Sequence, residues 1–142
     1  MPSVPSRSAT DADVPALIAL WEACGLTRPH NHPPTDIAFA RKGPNSDVLV
    51  IEIDKRLVAS AMVGHDGHRG WVYYVAVEPT QQKRGLGRHM MVEAERWLAS
   101  KGVWKMHLMV RRSNVEVHDF YEKLGFSESE VSVLSKILVA QA

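Results

Sequence analysis

Residues 83–88, Lys-Arg-Gly-Leu-Gly-Arg, set three cationic side chains and two glycines at the entrance of a segment with helical periodicity. At a helix start several backbone N–H groups lack intrahelical partners and the dipole end is positive, so an anion is drawn there; glycine lets it approach the main chain. The dipole alone contributes about 0.3–1 kcal/mol, whereas micromolar affinity needs roughly 8 kcal/mol. Successive amides from Arg84 to Arg88, with the charges of Lys83, Arg84 and Arg88, can add charge-assisted bonds of about 1.5–3 kcal/mol each. That suits a pyrophosphate better than one small anion. Two nucleotide readings are weakened, because no Gly-Lys-Ser/Thr occurs and Met90 stands where a dinucleotide fingerprint needs glycine or alanine. Taken alone, the loop reads equally well as a turn shaped by Gly85 and Gly87 with solvated cations.

Asn114 and Tyr121, in "SNVEVHDFYEKLGF", are a second candidate pair. Asparagine fills a helix N-cap well, and position alone makes Tyr121 a packing aromatic beside Phe120, Leu124 and Phe126. His30, His32, His65, Asp66 and His68 offer nitrogen and oxygen ligands, but zinc sites need three or four at tested spacings. No metal is expected, and these residues read as solvated or substrate-facing loop positions.

The elements that must position these groups follow from patterning. Val4 to Ser8 reads as a short strand held at an edge by Pro5. A helix runs from a cap at Thr10 or Asp11 through Val14, Leu17, Ile18 and Trp21 to Gly25. Leu26 to Asp47, with Pro29, Pro33, Pro34 and Pro44, reads as a shaped surface segment outside the core, with a short helix near Asp36 to Lys42. "VLVIEID", "LVASAMVG" and "WVYYVAV" predict three antiparallel strands. Arg88 to Ser100 predicts a helix with Met91, Ala94 and Leu98 on one face, ended by Gly102; "WKMHLMV" predicts a strand parallel to "WVYYVAV". A helix ending at Gly125 and one or two closing strands within Phe126 to Leu138 complete a mixed α/β (α+β) sheet.

Composition bounds the function. The 142 residues, 45% hydrophobic, suit one domain over residues 1–142. With 17 basic and 16 acidic residues no global field recruits nucleic acid or a membrane surface. A single cysteine, Cys24, excludes an internal disulfide. No apolar run reaches the roughly 20 residues of a membrane helix, so a cytoplasmic protein is expected. Oligomeric state stays open, a homodimer included.

The residues also carry a resemblance. "VAVEPTQQKRGLGRHMM" resembles the acetyl-CoA loop of the GNAT superfamily of N-acetyltransferases, whose Q/R-x-x-G-x-G/A pattern is met by Gln82, Gly85 and Gly87. About 30 residues later "SNVEVHDFYEKLGF" resembles the closing motif of the same family. "LWEACGLTRP" and "DGHRG" followed by "YY" resemble a YpeA-like bacterial subgroup. The resemblance implies a mostly antiparallel sheet of six or seven strands with about four helices, splayed at its central parallel pair. It assigns the main chain of Val75, Ala76 and Val77 to the pantetheine arm, Lys83, Arg84, Gly85, Leu86, Gly87 and Arg88 to the pyrophosphate, and Asn114 to the cofactor arm. Tyr121 would be the general acid to the departing thiolate. Arg28, Asp66 and Arg69 would line the pocket of a small-molecule or peptide amine. A non-catalytic acyl-CoA-binding sensor or interaction module would share the binding motifs without turnover.

Transfer to an amine requires a neutral nucleophile. At pH 7 deprotonation costs about 4.6 kcal/mol for a lysine-like amine and about 1 kcal/mol for an α-amino group. Some relatives carry a glutamate where this chain has Met109, whose thioether takes no proton. Glu78, Asp66, His65 and His68 are the remaining base candidates, with a water chain as the connection.

Overall fold

The computed structural model of the protein describes residues 4–141. They fold as two compact units that part between Leu108 and Met109. In the first unit a five-stranded sheet runs in the order β1 (Arg7–Ser8), β2 (Ser46–Ile53), β3 (Arg56–His65), β4 (Gly70–Val77), β5 (Met106–Leu108). The first three pairings are antiparallel and β4–β5 is parallel. β2 turns into β3 through Asp54 and Lys55, both left-handed at φ 52° and 64°, the backbone of a primed two-residue hairpin turn.

Helices cover both faces of this sheet. α1 (Val14–Ala23) and α2 (Pro33–Arg41) bury Leu17, Leu20, Trp21, Ile37 and Ala40 against Val48, Val50 and Ala76. The opposite phase of the strands meets α3 (Leu86–Ser100), which buries Leu86, Met90, Met91, Ala94 and Leu98. Contact there is close: a Cβ on Gly70 would lie 3.0 Å from the Leu98 and Val103 side chains, which would have to shift to admit one. The one buried charge on α3, Glu93, accepts from the Ser6 N–H at 2.6 Å and from Arg96 at 2.7 Å.

Several expectations are corrected. The 26–47 segment is not wholly outside the core, because α2 begins at Pro33 and buries Ile37 and Ala40. Proline is tolerated in a first helical turn, whose N–H groups have no intrahelical partner. The first strand shrinks to Arg7–Ser8 and the last of the first unit to Met106–Leu108. The described residues hold five strands, fewer than the six or seven expected, and 127–141 forms none. The alternation of "VSVLSKILV" remains, but Leu134, Ile137 and Leu138 are more than four-fifths exposed; a strand needs ladder partners for its backbone, and alternation by itself supplies none. Among the described residues of the second unit the helix is α4 (Val115–Lys123). No helix among the described residues is long and apolar enough to cross a membrane.

The turn into α1 is anchored by Arg7, whose guanidinium holds the Asp13 carboxylate at 2.6 and 3.0 Å while Asp13 also accepts from the Thr10 N–H at 2.7 Å. These bonds hold the Asp13 carboxyl well below the usual carboxylate range, the Arg7 bond contributing most. A depressed folded-state value stabilises the fold above the unfolded value near 3.9 and loses that contribution as pH falls through the folded one. Asp13→Asn should therefore cost about 1 kcal/mol in urea unfolding at pH 7, the pair being partly screened by solvent, and the gap to wild type should shrink below about pH 4. Trp21→Ala, which empties a fully buried site, should cost about 3–5 kcal/mol in the same assay.

Candidate active site

β4 keeps one neighbour longer than the other. Its ladder with β3 runs on to Val77, whereas its ladder with β5 ends at Val72 against Leu108. The Glu78 N–H bonds the Val58 carbonyl at 2.8 Å, so alternation turns the main-chain groups of Val77 and Val75 to the opposite edge, the one β5 has left. There the Val77 carbonyl accepts from Gln82 Nε2 at 3.1 Å and Cys24 Sγ at 3.2 Å. Burial, the largest cause, pushes the Cys24 thiol up, so it stays a donor.

The register slips inside the same strand. Ser60 pairs with Ala76 and Met62 with Tyr73, so Tyr74 and Val75 together oppose Ala61 as a β-bulge, and Tyr74 takes a left-handed φ of 51°. An aromatic residue in that region is strained by about 1–3 kcal/mol and persists only where its surroundings over-determine it. Here they do. The Tyr74 ring stacks on Trp21 with centroids 3.8 Å apart and planes 5° from parallel. Trp21 Nε1 donates to Ser60 Oγ at 2.9 Å, Ser60 Oγ donates to the Tyr74 carbonyl at 3.0 Å, and the Tyr74 hydroxyl donates to Asp36 Oδ2 at 2.7 Å. Burial, then the Asp36 bond, hold the Tyr74 phenol well above its usual value. Sequence reading passed over this network. The "YY" pair was its only visible trace, because the partners come from α1, α2 and β3.

After β4 the chain passes a 3-10 turn (Pro79–Gln81), then Lys83 and Gly85 adopt left-handed φ of 64° and 81°. Gly85 is the N-cap of α3, which therefore starts at Leu86, two residues before the expected Arg88. A glycine cap carries no side chain to bond the first-turn amides, and none is seen; the N–H groups of Leu86, Gly87 and Arg88 are orphans by helix geometry. Leu86 is buried as a plug, and Lys83, Arg84 and Arg88 are exposed around the turn.

The other pocket candidates build local structure. Arg28 folds back onto the turn that follows α1, donating to the Gly25 and Thr27 carbonyls at 2.7 and 2.9 Å. Asp66 accepts from the Arg69 and His68 N–H groups at 2.7 and 2.9 Å, which hold its carboxyl below the usual range. The Arg69 guanidinium lies 4.7 Å from the Trp104 ring centroid. Glu78 bonds the Thr80 N–H at 3.1 Å and, closer, its hydroxyl. His65 Nδ1 accepts from the Gly67 N–H at 3.1 Å.

Within the second unit Asn114 caps α4, its Oδ1 accepting from the Val117 N–H at 3.3 Å. Tyr121 packs edge-on against Phe120 and Phe126, with centroids 5.0 and 5.6 Å away. Burial pushes its phenol up to about 12. Met109 is half exposed.

Comparison with known proteins then adds a family. The model of the acetyltransferase (GNAT) family matches residues 11–126. An acetyltransferase of Pectobacterium atrosepticum is 39% identical over 127 residues, covering 89% of this chain and 90% of that protein. Among solved structures, the ribosomal-protein-S18-alanine N-acetyltransferase of Escherichia coli superposes with a TM-score of 0.74 at 24% identity, over 87% of this chain and 77% of that one. The aminoglycoside N-acetyltransferase AAC(6')-Iy, solved with CoA, reaches 0.80 at 14% identity, over 96% and 95%. At such identities the solved structures speak to the fold, while the family model and the sequence relative speak to descent. A strand that keeps only one neighbour, followed by a glycine-capped helix, thus sits in a chain that belongs to the GNAT acetyltransferase family.

Proposed function

We propose that the protein is an acetyl-CoA-dependent N-acetyltransferase that moves the acetyl group directly to a primary amine of a small molecule or peptide. The observation that carries this reading is a strand edge left by its neighbour at Val72 and, within the same stretch of chain, a helix start whose amides no side chain caps. Bound acetyl-CoA would supply an acyl group activated as a thioester. Val75, Ala76 and Val77 would hold its arm as an added strand; Gln82 and Cys24 already occupy the Val77 carbonyl, so the amides carry more of that task. The amides of residues 85–88 and the charges of Lys83, Arg84 and Arg88 suit a diphosphate, whose oxygens are acceptors only. Asn114 is assigned to the arm and Tyr121 to the leaving sulfur.

A phenol at about 12 stays protonated throughout the physiological range. Full delivery of its proton to a thiolate of reference value near 8.5 would be uphill by roughly 3–4 units, or about 5 kcal/mol. Tyr121 therefore acts as a hydrogen-bond donor to the charge developing on sulfur and yields its proton late. Any rise in rate between pH 6 and 9 then belongs to the amine and its base, not to Tyr121.

Free-thiol release with acetyl-CoA against a panel of amines and peptide N-termini tests the reading. Tyr121→Phe should leave coenzyme A affinity within about twofold by calorimetry and lower turnover by about 10²–10⁴; unchanged turnover would make Tyr121 a packing residue and favour a binding module. Arg84→Ala should weaken coenzyme A binding by about tenfold, one charge-assisted bond, with the deficit shrinking at high salt. For the amine that reacts, a rate flat from pH 6 to 9 would show that deprotonation does not limit transfer.

A further inference from the structure

The proton of the acceptor amine has no assigned destination, and the carboxylates nearest in sequence to the loop are engaged. Glu78 is folded onto Thr80, and Asp66 is held ionised by the turn it builds. The Tyr74–Asp36 pair differs in three ways. Its phenol stands on the strand immediately before Val75–Val77, at the bulge where β4 no longer pairs with β5. Its ring is fixed by the flat stack on Trp21 and its main chain by Ser60, so the hydroxyl has one position. Its proton is already committed to Asp36 Oδ2, 2.7 Å away. A phenol that donates to a carboxylate exposes lone pairs to other donors; the Asn31 side chain takes part at the same hydroxyl, and a further N–H can be accepted there. His32 lies at the N-cap of α2, Asp66 acts on the neighbouring Tyr73, and Asp36 is the charge that acts on Tyr74 among the described residues.

Resting on the transferase reading above, we propose that Tyr74 receives the proton of the acceptor amine and passes its own hydroxyl proton to Asp36, which is the proton sink behind it. As the amine nitrogen forms its bond to the acetyl carbon, an N–H bond breaks and the proton moves to Tyr74 Oη. The Tyr74 O–H bond breaks in the same event and Asp36 Oδ2 gains that proton. The C–S bond breaks with its electron pair on sulfur, and Asp36 later releases its proton to water. Tyr74 touches the reacting amine; Asp36 acts through it and is a positioning residue for the proton.

Asp36→Asn and Tyr74→Phe test this in the intact protein. The first keeps an oxygen that accepts from Tyr74 but loses basicity; the second keeps the stack on Trp21 and loses only the hydroxyl. Each is assayed by thiol release with acetyl-CoA and the fastest amine of the panel from pH 6 to 10, beside the thermal shift given by coenzyme A. The expected result is an intact thermal shift, a rate lowered by about 10²–10⁴ at pH 7, and a deficit that narrows as pH rises and hydroxide takes the proton in place of the lost relay. A deficit of equal size at every pH would mean a structural role and overturn the proposal. So would variants as fast as wild type. A wild-type protein that binds coenzyme A yet releases thiol to no amine would overturn it together with the transferase reading, and one that shows no thermal shift would sink that reading at its base. Should Asp36→Asn fail to fold, Tyr74→Phe alone decides, since it leaves α2 unaltered.

Discussion

β4 is held firmly on one side and let go on the other, and the site depends on that asymmetry. Backbone N–H and C=O groups need partners, so a strand that loses its neighbour at Val72 must be kept extended by something else. The continuing ladder with β3 does part of this, and the stack of Tyr74 on Trp21 with the bond to Asp36 does the rest. The strain of a left-handed tyrosine, about 1–3 kcal/mol, is offset by burial of two large rings and three hydrogen bonds. Relaxing the bulge would slide the alternation of β4 by one residue and turn the edge amides inward.

The electrostatics divide the labour between main chain and side chains. Lys83, Arg84 and Arg88 are exposed, so their charges attract an anion but are screened by salt. Gly85, with its left-handed φ of 81°, directs the chain into α3 without a side-chain cap and leaves the amides that follow it open. The two phenols of interest, Tyr74 and Tyr121, are both pushed up by burial. Each is a neutral donor at working pH. The difference lies in what each faces: Tyr74 has a carboxylate behind it, and Tyr121 has aromatic edges.

Much of this was legible in the chain. The hairpin strands, the helix that follows the glycine loop, the parallel return strand and the cap at Asn114 all follow from local periodicity and turn chemistry, which act over a few residues. What failed did so for non-local reasons. Ile37 and Ala40 lie in a proline-rich stretch whose burial depends on the sheet face that α2 meets. The one or two strands expected within 126–138 had the right alternation, but a ladder needs a partner, and alternation does not say where one is.

The sequence by itself carried the family resemblance and singled out the glycine loop and the pair Asn114 and Tyr121 as candidates, because glycine placement and short spacings are local properties. Tertiary structure alone decided that Arg28 and Asp66 serve their own turns, that β4 and β5 part at Val72, and that Trp21, Asp36, Ser60 and Tyr74 form one network. Those four residues span 53 positions between Trp21 and Tyr74, and no propensity or period relates groups that far apart; only packing of α1 and α2 on the sheet brings them within bonding distance.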